Sequence, residues 1–109
     1  MPNKRKTTDP FNRALATFLE WGPAMEIPVE QRLKKVLPRA TKKQISDLIK
    51  TFTGLQFSAS SIVIDQLERK ATEEDGRSRV AALDPRLSPD NAATLYSQSR
   101  IYAWRDGYK

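Results

Sequence analysis

The chain has 109 residues, of which 39% are hydrophobic and 29% are charged, enough for one globular core but not for two. It contains no cysteine and no histidine, which excludes disulfides, thiolate metal sites, cysteine nucleophiles and histidine general bases. The formal net charge is +6, and the excess lies in residues 1–50, where 11 basic residues accompany 5 acidic ones.

The N-terminal residues 1–8 are polar and cationic, which predicts a disordered basic arm in front of a single helical domain over residues 9–109. No apolar run approaches the roughly 20 residues that a membrane-spanning helix needs, and the N-terminus lacks the apolar segment of a secretion signal. The sequence therefore predicts a cytoplasmic protein without a membrane partner.

Two helices are predicted in the N-terminal third. Asp9 is a suitable N-cap and Pro10 a suitable first residue for a helix that continues to Trp21, after which Gly22 and Pro23 end it. A shorter helix is predicted from Pro28 to Leu37, because Pro38 disfavours its continuation.

The stretch from Thr41 to Ala71 carries the clearest pattern. Thr41 and Gln44 form a capping box in front of an apolar stripe of helical period, Ile45, Leu48, Ile49 and Phe52. Gly54 is predicted to end this helix, and residues 54–57 to form a connector whose Leu55 and Phe57 are buried. Ser58 would cap a second helix. The pattern thus predicts two helices folded on each other.

In the C-terminal third, the acids at 73–75 are predicted to follow a fraying helix end, where they oppose the helix dipole. A single helical turn is predicted over 77–83. Ser88 and Pro89 start a last helix that runs to about Asp106. No strand pattern of useful length occurs, so the predicted fold is an all-α, compact single-domain bundle of about five helices, starting near residues 10, 28, 42, 59 and 89. The side chains predicted to be buried together are Phe18, Leu48, Phe52 and Leu67.

The basic residues cluster between positions 32 and 50, where Asp47 is the single acid among seven cations. These candidate nucleic-acid-binding residues are Arg32, Lys34, Lys35, Arg39, Lys42, Lys43 and Lys50. Lys42 and Lys43 would stand in the first turn of a helix, beside free backbone N–H groups, which is a phosphate site in physical terms. The alternative is a solvated polar face that keeps the protein soluble.

Other motifs are weaker. A helix-turn-helix of the usual form is disfavoured, because the 54–57 connector exceeds a tight turn and because apolar residues 62–64 would surround the second helix, which needs a polar face to read bases. The acids at 73–75 lack the spacing of a calcium-binding loop, and the four glycines form no phosphate loop. Neither a cofactor, a metal site nor an enzymatic activity is expected.

The leading functional hypothesis is a small non-enzymatic protein that binds nucleic acid, or another polyanion, through the basic surface of residues 32–50. The alternative is a helical protein–protein interaction module, with a homodimer as one form of it. Its candidate interface residues are Ile62, Ile101 and Trp104, which lie off the main apolar stripes of their helices. The two hypotheses differ in the salt dependence of binding, because phosphate contacts release counterions.

Overall fold

The computed structural model describes residues 9–107, and within this range the protein is all-α, without strands. The α-helices are α1 (Pro10–Phe18), α2 (Val29–Val36), α3 (Lys42–Arg69), α4 (Glu73–Ala81) and α5 (Pro89–Arg105). A 3-10 helix, Gly22–Glu26, connects α1 to α2. The predicted all-α fold is confirmed, and the predicted arm at 1–8 lies outside the described residues.

The chain divides into two compact units, whose described residues are 9–53 and 54–107. The boundary falls inside α3, which is a continuous helix of 28 residues and contributes to both units. The prediction that residues 9–109 form one domain stays a prediction. Among the described residues, no helix is both long enough and apolar enough to cross a membrane.

In the first unit, α1 packs against α2 and, through Phe52, against the N-terminal half of α3. Phe52 of α3 is fully buried, and its ring centroid lies 5.4 Å from that of Phe11 and 5.4 Å from that of Phe18. Asp9 caps α1 as predicted, because its carboxylate accepts the backbone N–H of Phe11 at 2.9 Å. Three aromatic rings therefore join α1 to α3.

Helix α1 ends earlier than predicted, at Phe18 rather than near Trp21. Gly22 adopts a left-handed φ of 86°, and Pro23 disfavours helical backbone at the residue before it, so the chain turns here into the 3-10 helix. Trp21, which the predicted helix includes, lies outside α1 and is 39% exposed.

The predicted pair of helices between Thr41 and Ala71 is wrong, because α3 runs without interruption through Gly54. A glycine inside a helix costs only about 1 kcal/mol relative to alanine, which packing on either side can offset. The buried positions of α3 continue in helical phase across it: Ile45, Phe52, Leu55, Ala59, Val63 and Gln66. Ser58 is consequently no cap, and Phe57 is 77% exposed although it was predicted to be buried.

The predicted joint burial of four core residues is confirmed only in part. Phe52 is buried and touches Phe18, whereas Phe18 itself and Leu48 are half-buried. Leu67 is also half-buried and belongs to the second unit, about four helical turns beyond Phe52 on α3. Two helices folded on each other would have brought Leu67 close to Phe52, whereas one continuous helix keeps them apart.

In the second unit, α4 packs against α5, and the end of α3 joins both through polar contacts. The acids at 73–75 do not follow a helix end: they form the first turn of α4, which Thr72 caps by accepting the backbone N–H of Asp75 at 3.0 Å. The predicted unfavourable dipole contact is therefore wrong, since acids stabilise a helix N-terminus. Helix α5 begins after Ser88 as predicted.

Candidate nucleic-acid interface

An open groove of about 1070 Å³ lies in the first unit, between the outward faces of α2 and the first turns of α3. Its lining residues are Glu30, Gln31, Lys34, Lys35, Lys42, Lys43, Ile45, Ser46, Ile49 and Lys50. Five of the seven predicted cations are among them, and Glu30 is the single acid that residues 9–107 contribute to the groove. We call this feature the lysine groove.

Helical geometry explains why these side chains meet. On α2 the buried Leu33 fixes the inward face, which leaves Lys34 and Lys35 exposed. On α3 Lys42 and Lys43 are exposed in the first turn, and Lys42 precedes the groove-lining Ile45 by three residues, so both lie on the same side of the helix. Each helix therefore contributes lysines to the groove, and these side chains converge although α2 and α3 are separate in sequence.

The start of α3 is the predicted capping box. The Gln44 backbone N–H donates to Thr41 Oγ1 at 3.1 Å, and the Thr41 backbone N–H donates to Gln44 Oε1 at 2.8 Å. The N–H groups of Lys42 and Lys43 belong to the helix turn that has no intrahelical acceptors. Positive charge from two lysine side chains and from the helix dipole thus coincides at one edge of the groove.

The groove lysines differ in the ion pairs and hydrogen bonds that their side chains form. Lys43 Nζ lies 3.0 Å from Asp47 Oδ2, in an exposed pair one helical turn apart that contributes little energy. Lys34 Nζ donates to the carbonyl of Ala40. Lys35, Lys42 and Lys50 form no ion pair with any residue between 9 and 107, so their charges are available to an external anion.

Two predicted cations lie outside the groove. The Arg32 side chain donates from Nε to the Ile27 carbonyl at 3.0 Å and from Nη1 to the Thr17 carbonyl at 2.8 Å. It therefore fastens α2 to the end of α1 and to the preceding connector. Arg39 is exposed, but the groove does not include it.

The sequence missed the uncharged part of the groove. Ile45 and Ile49 form an apolar floor, and Gln31 and Ser46 add neutral polar groups. Their spacing to the lysines was a usable signal, since Gln31 precedes Lys35 by four residues and Ser46 precedes Lys50 by four. Among residues 9–107 no aromatic side chain lines the groove, so the described part of the groove offers nucleic-acid bases no ring on which to stack.

The three predicted interface residues lie in the second unit. Ile62 on α3 is half-buried, whereas Ile101 and Trp104 on α5 are 44% and 62% exposed. Within residues 9–107, no three acidic side chains are grouped so as to hold a metal ion.

Comparison of the chain with protein-family models, with curated proteins and with solved structures gave no match. The lysine groove and the other surfaces of the molecule are therefore the features that indicate its function.

Proposed function

We propose that this protein is a small, non-enzymatic nucleic-acid-binding protein that holds the phosphate backbone in the lysine groove. The observation that carries the proposal is the convergence of five lysines from two helices on one groove, which has a single lining acid among the described residues. A solvated polar face requires exposed charge but no such convergence. We propose a cytoplasmic location together with this function, because nucleic acids occur inside cells.

The chemistry of the groove indicates what kind of contact it makes. Lysine ammonium groups and the N–H groups at the start of α3 bind phosphate oxygens, which fixes a backbone without reading its sequence. Within the part of the chain that the structure describes, the groove offers no arginine for bidentate contact with guanine and no aromatic ring for stacking. We therefore expect binding that varies little with base sequence and weakens steeply with salt.

The experiment compares two double charge reversals. Lys42→Glu with Lys50→Glu changes two groove lysines that make no ion pair among the described residues, so the fold loses no ion pair. Arg39→Glu with Lys70→Glu changes the net charge equally at exposed positions outside the groove. Lys43 is avoided, because glutamate there would stand one turn from Asp47 and repel it.

Binding to a random-sequence duplex is measured as a function of salt. Removing two phosphate contacts should lower the magnitude of the slope of log K against log salt by about 2, and affinity at about 50 mM salt should fall strongly. The control reversal should retain most of the affinity. Equal losses in both variants would mean that net charge alone acts, and absent salt-sensitive binding by the wild type would refute the proposal.

A further inference from the structure

The outward face of α5 is exposed along its whole length. Positions 90, 93, 97, 101 and 104 fall within one narrow arc of a helix with 3.6 residues per turn. These residues are Asp90, Ala93, Ser97, Ile101 and Trp104, and all five are exposed. We call them the α5 strip. The opposite face of the helix is buried through residues such as Leu95 and Tyr96, so the strip has no role in the core of the chain.

We infer that the α5 strip is a homodimer interface in which two copies of the chain pair their α5 helices antiparallel. The side chains of the strip increase in size along the helix, from small or short ones at its N-terminal end to Ile101 and Trp104 at its C-terminal end. A two-fold axis at Ser97 sets Ile101 opposite Ala93 of the second copy, and Trp104 opposite Asp90. Each bulky side chain then meets a short one.

The charged residues at the two ends of α5 favour the same antiparallel arrangement. Asp90 stands in the first turn of α5 and Arg105 in the last, and neither forms an ion pair with any residue of the described range. They are 15 residues apart on one helix, about 22 Å, so they cannot reach each other within a chain. Antiparallel pairing brings Asp90 of each copy next to Arg105 of the other. Parallel pairing would instead set Asp90 against Asp90.

The size of the strip predicts weak association. It spans about 21 Å of helix, and a standard stable interface buries about 800 Å² on each partner, more than five side chains of this size provide. Dimerisation is therefore expected in the range of tens to hundreds of micromolar. The strip shares no residue with the lysine groove, so the two proposals can fail independently.

Association is measured in nucleic-acid-free buffer by sedimentation equilibrium from about 10 to about 500 µM, a range that brackets weak dimer affinities. The wild type should rise from monomer toward dimer mass. Trp104→Ala should raise the dimer dissociation constant roughly tenfold or more, because tryptophans dominate the binding energy of such interfaces. Trp21→Phe leaves Trp104 as the only tryptophan, and its emission should shift to the blue as concentration rises.

A charge swap tests the geometry. Asp90→Arg and Arg105→Asp should each raise the dissociation constant by roughly threefold to tenfold, in keeping with the small energies of exposed ion pairs. The two substitutions in one chain should restore association, because the exchanged charges at positions 90 and 105 then attract each other across the interface. Circular dichroism confirms that each variant keeps its helix content.

Three results would overturn the inference. The first is a monomer throughout the range with unchanged Trp104 emission, which would mean that a second copy does not cover the strip. The second is a dimer that Trp104→Ala leaves unaffected. The third is a failure of the double swap to recover association. Lys42→Glu with Lys50→Glu should leave dimerisation unchanged, whatever its effect on nucleic-acid binding.

Discussion

Gly76 is the position at which a single methyl group should have the largest effect on the second unit. It lies in the first half of α4 and is buried. A Cβ atom there would overlap Gln66 Oε1 and would lie 2.8 Å from Gln66 Cδ and 2.9 Å from Tyr96 Cε1. All three contacts are closer than a Cβ atom makes in a protein, so Gly76→Ala requires a neighbour to shift.

Neither neighbour is free to shift. Gln66 is 3% exposed and Tyr96 is 1% exposed, and Tyr96 donates its hydroxyl to Gln66 Oε1 at 2.7 Å. Arg100 Nη1 donates to the same hydroxyl at 3.3 Å, and the Arg77 guanidinium lies 4.6 Å from the Tyr96 ring centroid. Moving Gln66 away from a new methyl group would therefore break a buried hydrogen bond.

The magnitude follows from three contributions. Overpacking a core costs about 1 to 3 kcal/mol, and leaving buried polar groups unsatisfied costs about 1 to 3 kcal/mol. The higher helix propensity of alanine offsets up to about 1 kcal/mol of this destabilisation. Gly76→Ala should thus lower the free energy of unfolding by about 3 kcal/mol, which urea titration followed by circular dichroism measures directly.

Gly54→Ala is the matched control. Gly54 is exposed within α3, and a Cβ there would meet no atom within 4 Å, so the same substitution should stabilise the protein by about 0.5 to 1 kcal/mol. Truncating Gln66 to alanine should also remove most of the additional cost of Gly76→Ala, because two of the three close contacts, including the shortest, are then gone. If Gly76→Ala proves neutral or stabilising, as Gly54→Ala should be, the steric reasoning is refuted.

Two further predictions concern Phe52 and Asp65. Phe52→Ala should lower the free energy of unfolding by about 3 to 5 kcal/mol, because Phe52 is fully buried between two other rings; a loss below about 1 kcal/mol would contradict that enclosure. The Arg79 guanidinium, hydrogen-bonded to the Asp65 carboxylate at 2.9 Å, holds the pKa of Asp65 below its ordinary value of 3.8. A depressed folded-state pKa stabilises the protein above that ordinary value, and the stabilisation is lost as pH falls through the folded-state pKa. Asp65→Asn should therefore be less stable than wild type at about pH 7, with the difference closing well below the ordinary pKa of 3.8; a difference that is independent of pH would exclude the linkage.

Local interactions let the sequence determine a large part of this fold. The caps at Asp9, Thr41 and Ser88 each act over three residues or fewer, and the structure has all three where the pattern placed them. The helical period of the apolar residues excluded strands for the same reason, since it depends on neighbours three and four positions apart. The start of α4 was not predicted, but the sequence contained the signal for it, because Thr72 precedes Asp75 by the three-residue spacing of an N-cap.

Tertiary structure alone decided the remaining features. Gly54 predicts a helix end by local propensity, but that propensity is about 1 kcal/mol, and the packing of Phe52, Leu55 and Ala59 along α3 outweighs it. Which cations converge is equally non-local: Lys35 and Lys50 line one groove although 15 residues separate them, while Arg32 is held by backbone carbonyls instead. The close approach of Gly76 to Tyr96 depends on where α4 and α5 meet. No pattern within either helix specifies that meeting, because it depends on how side chains from separate helices fill shared space.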